Sequence, residues 1–537
     1  MQESGMNYPP HPVQFSRRTP VFGRALVASS HYLASKAGVS VLERGGNAVD
    51  AAIACAAMLT LVEPTGCGLG SDAFAIIHDG QKLHGLNASG KSPASASLGF
   101  YEELGGMPER GWHSVTVPGA VAGWASLSEQ FGKLAFECLF DEVIAQAERG
   151  FHVTPVVAHL WRRDAAILKN EPGFEAMFLR QGMAPMPGML FHQEGMAETF
   201  RLIAKSRGRD FYEGELAEQI LRSARGHDAL MAPDDLAGMT PEWVPVMSQP
   251  FGSAQLHELP PNGQGIAASM ALGILRHTDF DQYGARDARR LHLTIEAMKL
   301  AFADLQAHVA DPRHMHVGHQ DLLDDKYLAS RAALINPIEA SHFGAGAPPR
   351  GGTVYLCAAD REGLMVSFIQ SNYMGMGSGV CIPGTGIHLQ NRGANFVMDE
   401  HHPNCVAGGK RPFHTIIPGF VTDDEGGRMA TGVMGAFMQA QGHVQMVINT
   451  KRDGMDVQTA IDHPRWRFIE GKKLELESGF DQLMVHELIR LGHDIQVMAP
   501  GQNGGFGGAQ LIATLSNQDG YVGGSDPRKD GQVMMIG

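Results

Sequence analysis

Leu291, Ile295, Met298, Phe302 and Leu305 recur at alternating steps of four and three, which places them on one face of a helix. Far upstream, Ala51–Leu61 is rich in Ala and Leu, and reads as a helix buried against close neighbours. Strand-like apolar runs appear at Ala25-Leu26-Val27-Ala28, Ala73–His78, Val354–Ala359 and Met365–Ile369. Gly45-Gly46-Asn47 breaks the chain between a segment around Tyr32–Leu42 and the Ala-rich helix. Thr154-Pro155 reads as an N-cap followed by proline at the first helical position. Turns are expected at Pro250-Phe251-Gly252, Pro260-Pro261-Asn262-Gly263 and Asp360-Arg361-Glu362-Gly363. The middle third is thus helix-rich. Beyond Thr353 the pattern turns to strands, with a closing helix near Asp481–Leu491 that Gly492 ends. No internal repeat interrupts this order.

Composition narrows the class. A chain of 537 residues suggests three or four domains, or one large α/β unit with long excursions. Hydrophobic content of 44% and charged content of 19% fit a globular protein. The net charge of -14 and the lack of a basic tract argue against a nucleic-acid partner. Met1–Pro10 has no apolar segment of the secretory type, and no run of about 18 apolar residues reads as a membrane span. The cysteines, Cys55, Cys67, Cys138, Cys357, Cys381 and Cys405, are scattered without a CxxC pair, which points to a reduced, cytoplasmic protein with no membrane partner.

The chemistry concentrates at one bond. A loose Gly-, Ala- and Pro-rich stretch, 341–352, runs directly into Thr353 and the strand behind it, and is the best candidate for an exposed, cleavable linker. A threonine freed at Gly352–Thr353 would carry a hydroxyl nucleophile and its own base, because an α-amine titrates near ~8. Thr431-Gly432-Val433-Met434-Gly435-Ala436-Phe437 could bring two backbone N–H groups close to a developing oxyanion, or be a strand-to-helix turn. Met374-Gly375-Met376-Gly377-Ser378-Gly379 could line a pocket or form a loop. The Gly-x-Gly-x-Gly of Pro64–Ser71 lies between a helix and a strand, the reverse of the dinucleotide-binding order, and reads as a packed turn. His314, His316 and His319, and Glu400-His401-His402, read as polar turns rather than metal ligands. Ser525-Asp526-Pro527-Arg528 reads as a structural turn.

Several segments together carry a family resemblance. They are Gly45-Gly46-Asn47-Ala48-Val49-Asp50-Ala51-Ala52, Glu63-Pro64-Thr65-Gly66-Cys67-Gly68-Leu69-Gly70, Val117-Pro118-Gly119-Ala120-Val121-Ala122-Gly123-Trp124, Lys410-Arg411-Pro412 and Ser525-Asp526-Pro527-Arg528. With the Gly352–Thr353 junction they make the chain resemble the γ-glutamyltranspeptidase family of N-terminal-nucleophile threonine hydrolases, over nearly its whole length. The resemblance implies an α+β fold, a four-layer αββα sandwich. It implies autocatalytic cleavage into a large subunit, residues 1–352, and a small subunit, residues 353–537, intertwined as one structural unit. No cofactor or metal ion is implied. The substrate would be a small γ-glutamyl or related amide, the acceptor water or an amine, and the cleaved subunits a heterodimer or higher oligomer. Thr353 aligns with the nucleophile, Ser371 with a hydroxyl that orients it, and Gly435 and Ala436 with the oxyanion-hole pair.

The departures fall in the substrate clamp. The family's carboxylate-binding arginine aligns with Ser89, leaving Lys91 as the nearest cation. Its carboxylate for the substrate ammonium aligns with Asn395, in the segment that also carries Arg392. Its serine pair becomes His414-Thr415, and its pocket asparagine becomes Tyr373. Three readings follow. The first is a self-processing γ-glutamyltransferase or glutathione hydrolase-like enzyme acting through a Thr353 acyl-enzyme. The second is an acylase for dicarboxylate monoamides such as glutaryl amides. The third is a homologue that binds without maturing.

Overall fold

The computed structural model describes residues 18–344, 352–499, 504–516 and 519–537. Two antiparallel seven-stranded sheets form its centre. The first runs, edge to edge, Gln532–Ile536, Ala25–Ser29, Gly352–Ala359, Met365–Tyr373, Asp72–His78, Leu83–Ala88 and Glu242–Val244. The second runs Val21–Gly23, Tyr521–Ser525, Gly508–Thr514, Arg428–Met434, Gly419–Asp423, Ala254–Glu258 and Met247–Phe251. Segments from both sides of residue 352 therefore share each sheet.

Strand alternation builds the layers. Along Gly352–Ala359 and Met365–Tyr373, Val354, Leu356, Ala358, Val366 and Phe368 join one core with the helices of the N-terminal region. The intervening Tyr355, Cys357, Ala359, Met365 and Ile369 pack instead against Phe420, Ala430, Met434 and Ile512 of the second sheet. The far face of the second sheet, through Leu256, Val421, Met429, Val433 and Leu511, packs on Gly265–Leu275, Ala288–His308 and Met438–Val447. The order is helix, sheet, sheet, helix: the four-layer α+β sandwich that the resemblance implied.

The helices follow their sequence signals. Ala48–Val62 is buried along its whole length, as an all-apolar helix must be. Asn47 caps it, accepting from the Val49 and Asp50 N–H groups, while Asp50 accepts from the Asn47 N–H. Ile295, Met298, Phe302 and Leu305 are buried on Ala288–His308, with Leu291 half-buried at its edge. The closing helix is Gln482–Arg490, capped by Asp481 and followed by Gly492 at φ +92°. Helices also occur beyond Thr353 at Met438–Val447 and Val457–Asp462, where strands dominate the sequence pattern.

The expected turn at Pro250-Phe251-Gly252 is corrected. Pro250 and Phe251 lie inside the strand Met247–Phe251, and Gly252, at φ +62°, begins the turn. That strand is a sheet edge, where a proline lacking an N–H is tolerated. The Pro64–Ser71 segment is the packed turn expected: a Cβ on Gly66 would come within 2.8 Å of Val354, and one on Gly70 within 2.4 Å of the His388 carbonyl. Of the expected linker 341–352, residues 345–351 lie outside the described residues, as does the Met1–Pro10 segment. No described helix is long and apolar enough to cross a membrane.

The Ser525-Asp526-Pro527-Arg528 turn is a buried charge hub. Asp526 accepts from Arg465 Nη2 at 2.6 Å, from the Ala509 N–H at 2.6 Å and from Arg528 Nη1 at 3.2 Å. Burial opposes its ionisation, but the two guanidinium groups hold its carboxyl down at about 2. The hub fastens the second sheet to the segment bearing Arg465.

Candidate active site

Thr353 and Ser371 sit on neighbouring strands of the first sheet, both facing the second sheet. The pairing of these strands shifts register between Gly352 and Val354, a β-bulge at Thr353. The chain is continuous through Gly352–Thr353, so the Thr353 nitrogen is an amide. The Thr353 hydroxyl donates to Ser371 Oγ at 3.2 Å. Ser371 Oγ in turn donates to the Gly352 carbonyl at 2.6 Å and accepts from the Tyr373 N–H at 2.8 Å. The two hydroxyls and the Gly352 carbonyl thus form one hydrogen-bonded unit, only 4% exposed at Thr353.

Gly352 is constrained by space. A Cβ there would fall 2.6 Å from Gly375 Cα and from the Thr65 carbonyl oxygen. The Met374–Gly379 loop is therefore a lid packed on the junction, and Gly375, at φ +58°, has Asp164 against it. Tyr373, at φ +79°, and Ala436, at φ +52°, are non-glycine residues in the left-handed region. Strain of this kind, about 1–3 kcal/mol per residue, persists where the surroundings fix the backbone.

Gly435 and Ala436 link the strand Arg428–Met434 to the helix Met438–Val447. Among the described residues neither of their N–H groups has a hydrogen-bond partner. Both lie at the positive end of the helix, where negative charge is favoured. Gln264 holds the turn from behind, donating to the Ala436 carbonyl at 2.7 Å and also to the Thr415 carbonyl. Gln439, in the helix's first turn, reaches Thr353 Oγ1 at 3.5 Å.

The clamp residues divide into two groups. Arg392 is fully buried, and its Nη1 donates to Thr415 Oγ1 at 2.8 Å. Its guanidinium lies 4.8 Å above the Tyr373 ring. Its Nε and Nη2 have no partner among the described residues. Burial lowers its pKa to about 10, which leaves it charged at neutral pH. Burial also pushes the Tyr373 phenol up to about 12. Asn395, three residues along the same tight turn, carries a buried Nδ2 that also lacks a partner. Lys91 stands apart: it is half-buried, and its carbonyl accepts from the Val117 N–H at 2.9 Å.

His414 and Asp72 are both fully buried and meet at 3.1 Å. The Ile416 N–H donates to His414 Nδ1, so Nε2 carries the proton and donates to Asp72. Burial, then Arg392, hold His414 far below its usual range. Burial raises Asp72 to about 7, against the pull of Arg392. Asp72 also accepts from the Gly90 and Gly119 N–H groups. The Ser89 hydroxyl is fully engaged by Asn87 and Asn262.

Asp72, Gln264, Asn87, Asn262 and Gln439 were not expected from the sequence. A carboxylate opening the apolar strand Asp72–His78 is a local signal, but the partners come from distant segments. Away from this site, His292, Glu296 and His493 place ligand-type atoms within 4.8 Å of one another, yet Glu296 is held by Lys299 Nζ at 2.6 Å. His402 bonds the Gln306 carbonyl, and Asp311 pairs with Arg313 beside the 314–319 histidines.

Comparisons with known proteins agree with this architecture. The gamma-glutamyltranspeptidase family profile matches residues 34–536. The glutathione hydrolase-like YwrD proenzyme of Bacillus subtilis is 33% identical over 96% of this chain and 98% of its own length. The oxamate amidohydrolase proenzyme of Klebsiella pneumoniae is 35% identical over 94% of this chain and 97% of its own. The crystal structure of a cephalosporin acylase from Bacillus halodurans superposes with a TM-score of 0.93 at 41% identity, covering 100% of both chains. The chain belongs to the gamma-glutamyltranspeptidase family and is an enzyme of its hydrolase and acyltransferase type.

Proposed function

We propose that this chain is a self-processing threonine amidohydrolase that works through a Thr353 acyl-enzyme. The observation that carries the reading is the single hydrogen-bonded unit of Thr353, Ser371 and the Gly352 carbonyl. In maturation, Thr353 Oγ1 attacks the Gly352 carbonyl carbon and the C–N bond breaks, leaving an ester and a free α-amine. Ser371 takes the hydroxyl proton and passes its own to the carbonyl oxygen, giving a tetrahedral intermediate, and as the C=O re-forms that proton moves to the departing Thr353 nitrogen. Water then opens the ester, which gives Gly352 a carboxylate and leaves Thr353 as a new N-terminus.

In the mature enzyme the α-amine, titrating near ~8, takes the Thr353 hydroxyl proton as the oxygen attacks a substrate amide. The unpartnered N–H groups of Gly435 and Ala436 fit the tetrahedral oxyanion. The proton then goes to the leaving amine. Water, or a second amine, accepts the acyl group.

Two acyl groups compete, γ-glutamyl and an acyl chain without an α-ammonium. Asn395 supports the second, because an amide offers no charge to an ammonium. The oxamate amidohydrolase relative supports it too, since oxamate is a monoamide of a dicarboxylic acid. The test compares glutaryl and γ-glutamyl p-nitroanilides with purified wild type and Thr353→Ala. Release of nitroaniline by wild type and none by Thr353→Ala supports the nucleophile, and preference for glutaryl supports the acylase reading. Equal turnover by Thr353→Ala removes the Thr353 mechanism, and a clear γ-glutamyl preference restores the transferase reading.

A further inference from the structure

We propose that Arg392 is the specificity-determining residue of this enzyme, the anchor for a carboxylate at the far end of a short acyl chain. The substrate class is then monoamides of short dicarboxylic acids. The assignment rests on Thr353 being the acylating residue.

Five arginines are buried among the described residues: Arg290, Arg392, Arg411, Arg465 and Arg467. Four have a carboxylate within ion-pair distance: Asp453, Glu242, Asp526 and Glu475. Arg392 has none. A buried guanidinium with two unpartnered nitrogens carries a desolvation cost that an arriving anion would offset. Nε and Nη2 are the adjacent pair that suits the two oxygens of a carboxylate. Nη1 and the guanidinium face are occupied, by Thr415 and by the Tyr373 ring, so the fork is held with its free edge presented.

The anchor lies close to the chemistry by two routes. Tyr373, beneath the guanidinium, donates its N–H to Ser371 Oγ, the partner of Thr353. Thr415, which receives Nη1, shares Gln264 with the Ala436 carbonyl. Such short links suit a short acyl chain between carboxylate and reacting carbonyl. The nearby Asp72 is engaged by His414, Gly90 and Gly119 and so is not free to take an α-ammonium. Ser89 is likewise engaged, and among the described residues Arg392 is the buried arginine without an ion-pair partner.

The experiment measures kcat/KM for glutaryl, butyryl and γ-glutamyl p-nitroanilides with self-cleaved wild type, Arg392→Gln, Arg392→Lys and Lys91→Gln. Wild type is expected to favour glutaryl over butyryl by on the order of 10²-fold, the scale of a desolvated charge pair. In Arg392→Gln that ratio falls towards one, and in Arg392→Lys, a point charge without the fork, it is intermediate. A wild-type ratio near one overturns the proposal, and this arm needs no variant to fold. So does a ratio kept in Arg392→Gln, or lost in Lys91→Gln instead. A self-cleaved enzyme that turns over none of the three overturns the substrate class and leaves Thr353 processing standing. An uncleaved, inactive wild type removes the Thr353 reading and the anchor together.

Discussion

Ser371 Oγ lies 2.6 Å from the Gly352 carbonyl oxygen and donates its hydrogen bond there, while the Thr353 hydroxyl donates to the same Ser371 atom. Ser371→Ala removes the polarising donor and the proton relay at once, and leaves the buried Tyr373 N–H without an acceptor. Self-cleavage should slow by on the order of 10²-fold or more, the scale of losing one preorganised donor. A denaturing-gel time course measures it, and cleavage at the wild-type rate would remove Ser371 from the relay.

Gly352→Ala tests the space around the bond. The added Cβ would meet Gly375 and the Thr65 carbonyl at 2.6 Å, contacts with backbone that cannot swing aside. The variant should fold but mature slowly, because the Met374–Gly379 lid must shift. Normal processing of Gly352→Ala would show that the lid yields freely.

How far the sequence foretold this arrangement depends on range. The helix face of Ile295, Met298, Phe302 and Leu305 and the strands after Thr353 are written in local periodicity, and they form where expected. Pro250 was misjudged because a proline is a turn signal locally, while its tolerance at a sheet edge depends on pairing with Ala254–Glu258. Thr353 could be read as a candidate because Gly352-Thr353 and the strand behind it are contiguous. The environment of Arg392 could not: Thr415, Tyr373 and Asp72 converge on it from three separate segments, and only folding shows that no described carboxylate lies within ion-pair distance of it.

The Asp72–His414 pair predicts a pH dependence that follows substrate charge. Burial holds the Asp72 carboxyl up at about 7, above an unfolded value near ~4. Between those values the folded protein binds more protons than the unfolded chain. This contribution to stability is therefore full below the unfolded pKa and lost as pH rises through about 7. Ionised Asp72 also opposes a carboxylate arriving at Arg392. KM for glutaryl p-nitroanilide should rise as pH passes about 7, and KM for the butyryl analogue should not. Parallel KM profiles for the two substrates would contradict the coupling.

Asp526→Ala tests the buried hub. It leaves Arg465 charged and buried without its carboxylate. Removing one partner of such a pair costs about 3–5 kcal/mol. The urea midpoint should fall markedly, while any folded fraction should keep the wild-type ratio of glutaryl to butyryl turnover. An unchanged midpoint would mean that Arg465 finds another partner.

Intact-mass spectrometry of purified wild type and Thr353→Ala tests the central claim most directly. The account predicts two wild-type masses that match cleavage between Gly352 and Thr353, with threonine at the new N-terminus, and one full-length mass for Thr353→Ala. A wild type that stays whole on long incubation, a cut at another bond, or a Thr353→Ala chain that cleaves like wild type would contradict it.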